Sequence, residues 1–281
     1  MWGFGESYNR QKMIQKAEES FLKGYEIDPH NIDVLIKLGA VVSLRDCKKG
    51  RSYLEQACSL FPSSCEALCS LAENFLKDDL DEAEKKFKAI LKLDDQNVRA
   101  REGLGKIAIL RVRPQEALAH FEYALEKDPQ NPFVLLSLGK AMLLLGRFQE
   151  AEKFYTRVMV RDKTDTRSLI SLGELKIEQK EFGQAEHYFQ KASQLDPQDV
   201  FIYFGLGNAT FEGSPAQAKI HYLKALSLVP PNEQKTRLLI LFKLARLAKK
   251  EKQPSEAQKY FEQILEIEPH HLEALAERNR A

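Results

Sequence analysis

The chain has 281 residues, 43% of them hydrophobic and 30% charged, which suits a folded protein and excludes a disordered one. Its 42 Lys and Arg against 41 Asp and Glu leave a net charge of +1, so composition gives no general reason to expect nucleic acid or an anionic membrane as partner. No apolar run reaches the ~18 residues needed to span a bilayer, and the opening "MWGFGESYNRQKM" lacks the basic-then-apolar layout of a secretory signal; a cytoplasmic location without membrane association is expected.

Residues 1–29 carry a short signature that the rest of the chain repeats. Ala17 is followed four residues later by Phe21, and Pro29 closes the stretch. The same small, large apolar and closing residues return as Gly50, Leu54 and Pro62; Ala83, Phe87 and Asp95; Ala117, Phe121 and Pro129; Ala151, Tyr155 and Lys163; Ala185, Phe189 and Pro197; Ala218, Tyr222 and Pro230; and Ala257, Phe261 and Pro269. Ahead of each stands a Leu-Gly or Leu-Ala pair, at Leu38-Gly39, Leu71-Ala72, Leu104-Gly105, Leu138-Gly139, Leu172-Gly173, Leu206-Gly207 and Leu244-Ala245, in steps of 33, 33, 34, 34, 34 and 38 residues. The spacing divides one domain (1–281) into an incomplete first repeat (1–29), seven repeats (30–63, 64–96, 97–130, 131–164, 165–198, 199–231 and 232–269) and a capping helix (270–281).

Each repeat predicts a pair of helices. In "FVLLSLGKAMLLL" the apolar residues fall at helical spacing, and Ala151, Phe154, Tyr155 and Val158 do the same in the second half. Two antiparallel helices approach closely only where a side chain is nearly absent, which is the expected role of pairs such as Gly139 and Ala151, with Tyr155 filling the space beside them. Asn31, Ser64, Asn97, Asn131, Asp165, Asp199 and Asn232 are placed to cap first helices. Pro114, Pro215 and Pro254 fit the first turn of second helices, where a missing N–H costs nothing. Three repeats have eleven rather than twelve steps from the first small residue to the next (Gly39 to Gly50, Ala72 to Ala83, Gly207 to Ala218), and "VPPNEQKTRL" inserts either a turn of helix or a short loop.

The two ends differ. Counting back from Ala17 by twelve lands on Gly5, so the start reads as a first helix lacking its opening turn. Trp2 and Phe4 there predict an exposed apolar end, suited to self-association or to a preceding repeat in a longer chain. At the other end "HHLEALAERNRA" reads as a capping helix with Leu272 and Leu275 facing inward. His270 and His271 are adjacent, point in different directions and read as exposed cap residues rather than ligands. Cys47, Cys58, Cys65 and Cys69 are separated by ten, six and three residues, which matches no common zinc pattern. They read as small apolar residues. No glycine-rich phosphate loop, "HExxH" or "GxSxG" is present. No catalytic residue, metal site or cofactor is assigned, and the chain is read as not an enzyme.

With its Leu-Gly, Ala, Phe and Pro markers at a period of 34, the chain resembles the tetratricopeptide repeat family. The resemblance implies an all-α, right-handed superhelical solenoid of about eight stacked antiparallel helix pairs with a capping helix. It also implies a concave groove lined by the first helices, where partners bind. With the Gly or Ala of each pair counted as eighth, the second, fifth, ninth, twelfth and thirteenth places face that groove. Early residues Asp33, Glu66 and Glu73 make it acidic. In the middle, Arg99, Lys106, Lys140 and Arg167 make it basic, with Glu102 and Glu174 among them. Phe133, Phe201, Phe204 and Phe211 supply aromatic anchors, and Asn208 holds a ninth place. Small sixth-place residues such as Gly103 and Gly205 are expected to leave room for a ligand backbone. The function implied is a protein–protein interaction scaffold or adaptor within a multiprotein complex, binding an acidic and apolar protein segment across the fourth to seventh repeats. RNA binding on the basic middle is the alternative, disfavoured by the neutral net charge, and a regulatory arm of an enzyme whose catalytic domain lies elsewhere is another.

Overall fold

The computed structural model describes the backbone of residues 3–230 and 233–278, and the side chains of 13–230 and 233–277. Among them are sixteen helices: α1 (Gly3–Ile27), α2 (Ile32–Val42), α3 (Cys47–Leu60), α4 (Cys65–Phe75), α5 (Leu80–Leu93), α6 (Val98–Leu110), α7 (Pro114–Lys127), α8 (Pro132–Leu144), α9 (Phe148–Arg161), α10 (Thr166–Glu178), α11 (Phe182–Leu195), α12 (Val200–Thr210), α13 (Pro215–Leu228), α14 (Gln234–Lys250), α15 (Pro254–Ile267) and α16 (Leu272–Arg278). The described residues contain no strand. The chain divides into two compact units, Met1–Phe154 and Tyr155–Ala281. In the first unit each of α1 to α7 packs on its successor, and the first helices α2, α4, α6 and α8 also touch one another in turn. The second helices of that unit approach each other less closely, so the first helices form its tighter layer. In the second unit α10 to α16 pack in sequence, and α10 also meets α12.

The caps explain where first helices begin. Side-chain oxygens of Asn31, Ser64, Asn97, Asn131, Asp165 and Asp199 accept backbone N–H groups at the starts of α2, α4, α6, α8, α10 and α12. Asn232 lies outside the described residues. The inserted residues before it are partly taken up as helix: α14 has 17 residues, against 13 for α6, α8 and α10.

Small and large residues meet as hairpin packing requires. A Cβ on Gly105 would lie 2.6 Å from Phe121 Cζ, one on Gly173 2.7 Å from Phe189, and one on Gly207 2.4 Å from Tyr222. All three rings are fully buried. No side chain larger than hydrogen fits there without moving the ring.

Turn length has a backbone cause. The four twelve-step repeats each place one residue in the left-handed region at the end of the first helix: Val112 (φ 55°), Gly146 (φ 71°), Lys180 (φ 62°) and Lys252 (φ 55°). The next N–H then reaches back to a carbonyl five residues earlier, as in Arg113 to Ala108 and Glu181 to Lys176, both 2.8 Å. Among the described residues the eleven-step turns have no such residue. Val112 is β-branched, and its side chain is 68% exposed, so it bears this strain with little burial in return. Val112→Gly is expected to stabilise the protein by about 1 kcal/mol, read as a raised denaturant midpoint with unchanged slope; a lowered midpoint would show that the turn is not strained.

Charged pairs stitch successive repeats in the first unit. Glu18 meets Arg45, Arg51 meets Asp78 and Glu84 meets Arg111, each pair 27 residues apart. In each, a residue just after the small residue of a second helix holds the hairpin turn of the next repeat.

Two expectations at the ends are corrected. α1 is one unbroken helix of 25 residues, not a clipped helix, a turn and a second helix. The run "RQKMIQKA" holds only good helix formers, with no Asp, Pro or Gly to break it. The side chains of Trp2 and Phe4, and the self-association drawn from them, lie outside the described residues. In α16 the fully buried residue is Ala274, packed with α14 and α15, while Leu272 is exposed. The helix starts at Leu272, and His271 Nδ1 accepts the Ala274 N–H at 3.2 Å, so Leu272 projects from the first helical position.

Candidate functional site

Several of the groove residues expected from sequence turn out to be engaged with their own chain. On α6, Arg99 forks onto Glu73 of α4: Nε donates to Oε1 at 2.8 Å and Nη2 to Oε2 at 2.7 Å. Nη2 also donates to Ser70 Oγ at 3.1 Å. The bonds to Glu73 hold the Arg99 guanidinium above its ordinary pKa, against the opposing effect of burial. The expected acidic and basic stretches thus neutralise each other at this point. Glu102, one helical turn on, is half-buried, and burial pushes its carboxyl pKa up, only partly offset by Lys106. Lys106 Nζ sits 4.3 Å from the centre of the Phe133 ring. Phe133 itself packs edge-on against Phe121 with ring centres 6.3 Å apart, so it is both capped by a cation and anchored to the core. Lys140 on α8 is half-buried.

In the second unit, Arg167 bonds to Asp165, its Nη2 donating to Oδ2 at 2.6 Å. Asp165 is at the same time the cap of α10, so this guanidinium is tied to a helix end. Glu174 is half-buried on α10. On α12, Asn208 Oδ1 accepts the Tyr222 hydroxyl at 2.8 Å, and Phe204 tilts against the Tyr222 ring at 5.9 Å. Phe204 and Phe211 both pack against the core of this unit, with Lys250 Nζ 5.0 Å from the Phe211 ring centre. Phe201 points into solvent and is 54% exposed.

The space expected at sixth-place glycines is filled. A Cβ on Gly103 would lie 2.3 Å from Phe87 Cζ, and one on Gly205 2.2 Å from Phe189. These glycines accept the large residue of the preceding repeat, so they serve stacking and offer no channel for a ligand backbone.

The cysteines are free thiols. Cys69 is buried, and burial pushes its thiol up to about 12, leaving no thiolate for chemistry at neutral pH. Lys243 and Arg246 hold the sixth and ninth places of α14. Among the described residues neither has a hydrogen bond or ion pair.

Tetratricopeptide repeat models match residues 77–132, 112–172, 166–199 and 239–271, together more than half of the chain. The chain belongs to the tetratricopeptide repeat family. No curated protein sequence matches it. Solved structures share its fold at low identity. The APC/C hetero-tetramer Cut9–Hcn1 aligns with a TM-score of 0.75 at 19% identity, over 95% of this chain and 52% of that one. Yeast Tom70 aligns at 0.63 and 17% identity, over 96% and 58%. A tetratricopeptide repeat protein from Parabacteroides merdae ATCC 43184 aligns at 0.67 and 16% identity, over 88% and 97%. The chain therefore spans about half the length of the first of these proteins. Tetratricopeptide repeats are in general protein-interaction scaffolds. No helix among the described residues is long and apolar enough to cross a membrane.

Proposed function

We propose that the chain is a non-catalytic scaffold or adaptor that binds a segment of a partner protein against the face made by its first helices, as one part of a multiprotein complex. The observation that carries this reading is apolar surface left open at matching places. Phe201 on α12 is 54% exposed and Leu239 on α14 is 47% exposed, and both hold the second place of their repeats. Full burial of such a side chain is worth about 1.5–3 kcal/mol, part of which a partner recovers by covering it. Large apolar residues of this kind are the ones that commonly anchor interfaces. Membership of a scaffold family supports the same reading. The RNA alternative loses much of its footing, because Arg99 and Arg167 are held by Glu73 and Asp165. The proposed setting is cytoplasmic.

The test is a paired charge insertion. Phe201→Glu with Leu239→Glu is expected to melt within a few degrees of the parent, since exposed positions usually shift stability by only about 0.5 kcal/mol. The same variant is expected to lose the proteins that the parent recovers by proximity labelling. Equal recovery by the two chains would remove this face from the proposal.

A further inference from the structure

The seam between α13 and the hairpin of α14 and α15 holds a cavity of about 200 Å³. Its cause lies in one residue and one connection. α5 begins with Leu80, which packs against the core cluster containing Leu104 and Ile107, the seventh and tenth places of the next first helix. α9 and α11 begin with Phe148 and Phe182. α13 begins with Pro215, and the matching seventh and tenth places, Leu244 and Leu247, line the cavity. Pro114 at the start of α7 is buried, whereas Pro215 is only half-buried. The long connection before α14 adds to the difference, for α13 and α14 pack less closely than α11 and α12 do.

The size and lining select an occupant. A cavity of about 150 Å³ lined by aliphatic and aromatic side chains takes benzene, and sites for drug-sized ligands start at about 300 Å³. The space over Leu244 and Leu247 therefore suits one substituted ring. The charged part of the wall is already neutralised. Lys219 Nζ lies 2.6 Å from Glu256 Oε1 and 2.7 Å from Oε2, and the Tyr260 hydroxyl donates to Glu256 Oε1 at 3.1 Å. The Tyr260 oxygen keeps its lone pairs, so the wall can accept one further O–H or N–H. Ala216 lines the cavity and is exposed. Ile220 and Leu223 continue from it at steps of four and three, on the same stripe of α13, and are 65% and 42% exposed. Apolar surface thus runs outward from the cavity along a second helix, which suits a polypeptide better than a free small molecule.

We propose that this cavity is a second docking site, which takes one tyrosine or tryptophan side chain of a partner protein while the flanking residues of that partner lie along α13. The partner supplies the ring that α13 lacks at its first position. This extends the scaffold reading to a surface of second helices and does not depend on the face made by the first helices.

The test fills the cavity from within. Pro215→Phe gives α13 the residue that begins α11 and should melt no lower than the parent. Ala216→Leu, at an exposed position, narrows the entrance and takes its place if Pro215→Phe melts low. A random dodecapeptide display library is depleted on the filled variant and then panned on the full parent chain. Enriched peptides should share a Tyr or Trp whose replacement by alanine weakens binding about tenfold or more, and p-cresol should compete with them. Ile220→Glu should weaken the same peptides while p-cresol still binds, separating the stripe from the cavity. Enriched peptides with no common aromatic residue, or p-cresol binding equally to the parent and the filled variant, would overturn the site and leave the first-helix face untouched. Binding of p-cresol with no peptide enriched would overturn it in favour of a free small molecule. A dimer of the parent that the filled variant loses in sedimentation velocity would overturn it in favour of a second copy of the chain.

Discussion

Replacing Phe189 by alanine is expected to destabilise the second unit by about 3–5 kcal/mol. Phe189 on α11 is fully buried, and its ring fills the space that side chains would take at both Gly173 and Gly205. It touches its own hairpin through α10 and the next repeat through α12, within a cluster that includes Leu169, Ile202 and Leu206. Glycine backbones cannot move side chains into the vacated volume, so the cavity persists. In a repeat array stability is a sum of repeat terms and neighbour terms, and this one residue contributes to both. Urea unfolding followed by hydrogen exchange should show α10 to α12 opening at lower denaturant than α2 to α6. Gly205→Val should act in the same direction, because its Cβ would stand 2.2 Å from the same ring. A loss below about 1 kcal/mol for Phe189→Ala would mean that the site collapses and that the ring is not the stacking element.

Asn74→Ala is expected to cost the first unit about 2–4 kcal/mol, the range for stranding several buried polar groups. The buried Asn74 carboxamide donates to Ser43 Oγ at 2.7 Å and to the Cys47 carbonyl at 3.1 Å, and accepts from Arg51 Nε at 2.8 Å. Arg51 in turn donates to Asp78 and lies 3.9 Å from the centre of the Phe75 ring. One side chain of α4 thereby satisfies the α2–α3 turn and orients the cation that joins the two repeats. Asn74→Leu should be no better than alanine, since the stranded groups remain. A double-mutant cycle between Asn74 and Arg51 should give a coupling of about 1 kcal/mol or more; additivity would show that the two side chains are merely neighbours.

Much of the fold was readable because its determinants lie on short spacings. Helical periodicity, the caps at Asn31 through Asp199, and the small-to-large contacts such as Gly105 with Phe121 each depend on residues within about one hairpin. What was misread depends on which repeat occupies a space. Gly103 and Gly205 looked like open room because the rings that fill them, Phe87 and Phe189, belong to the preceding repeat. Arg99 looked like a free cation because its partner, Glu73, is 26 residues away on another helix. The left-handed residues show the same limit. Gly146 is recognisable as a turn residue, whereas Val112, Lys180 and Lys252 carry no such mark and are held there by the twelve-step register. α1 was overextended as a repeat because its markers continue the period while its sequence contains nothing to break a helix.

The residue types expected in the groove were legible, but whether each was already engaged within the chain was not. An acidic and apolar partner was inferred from the basic residues Arg99, Lys140 and Arg167. Arg99 and Arg167 are bound to carboxylates of their own chain. Counting charges by repeat place does not distinguish an engaged cation from an unengaged one.

Hydrogen exchange of the full chain, with and without an acidic and apolar peptide selected by panning a display library on it, is the most direct measurement. Slower exchange confined to amides of α12 and α14 is the predicted outcome. Protection on α13 and α15 instead, or none anywhere at saturating peptide, would contradict the proposal that first helices present the binding face.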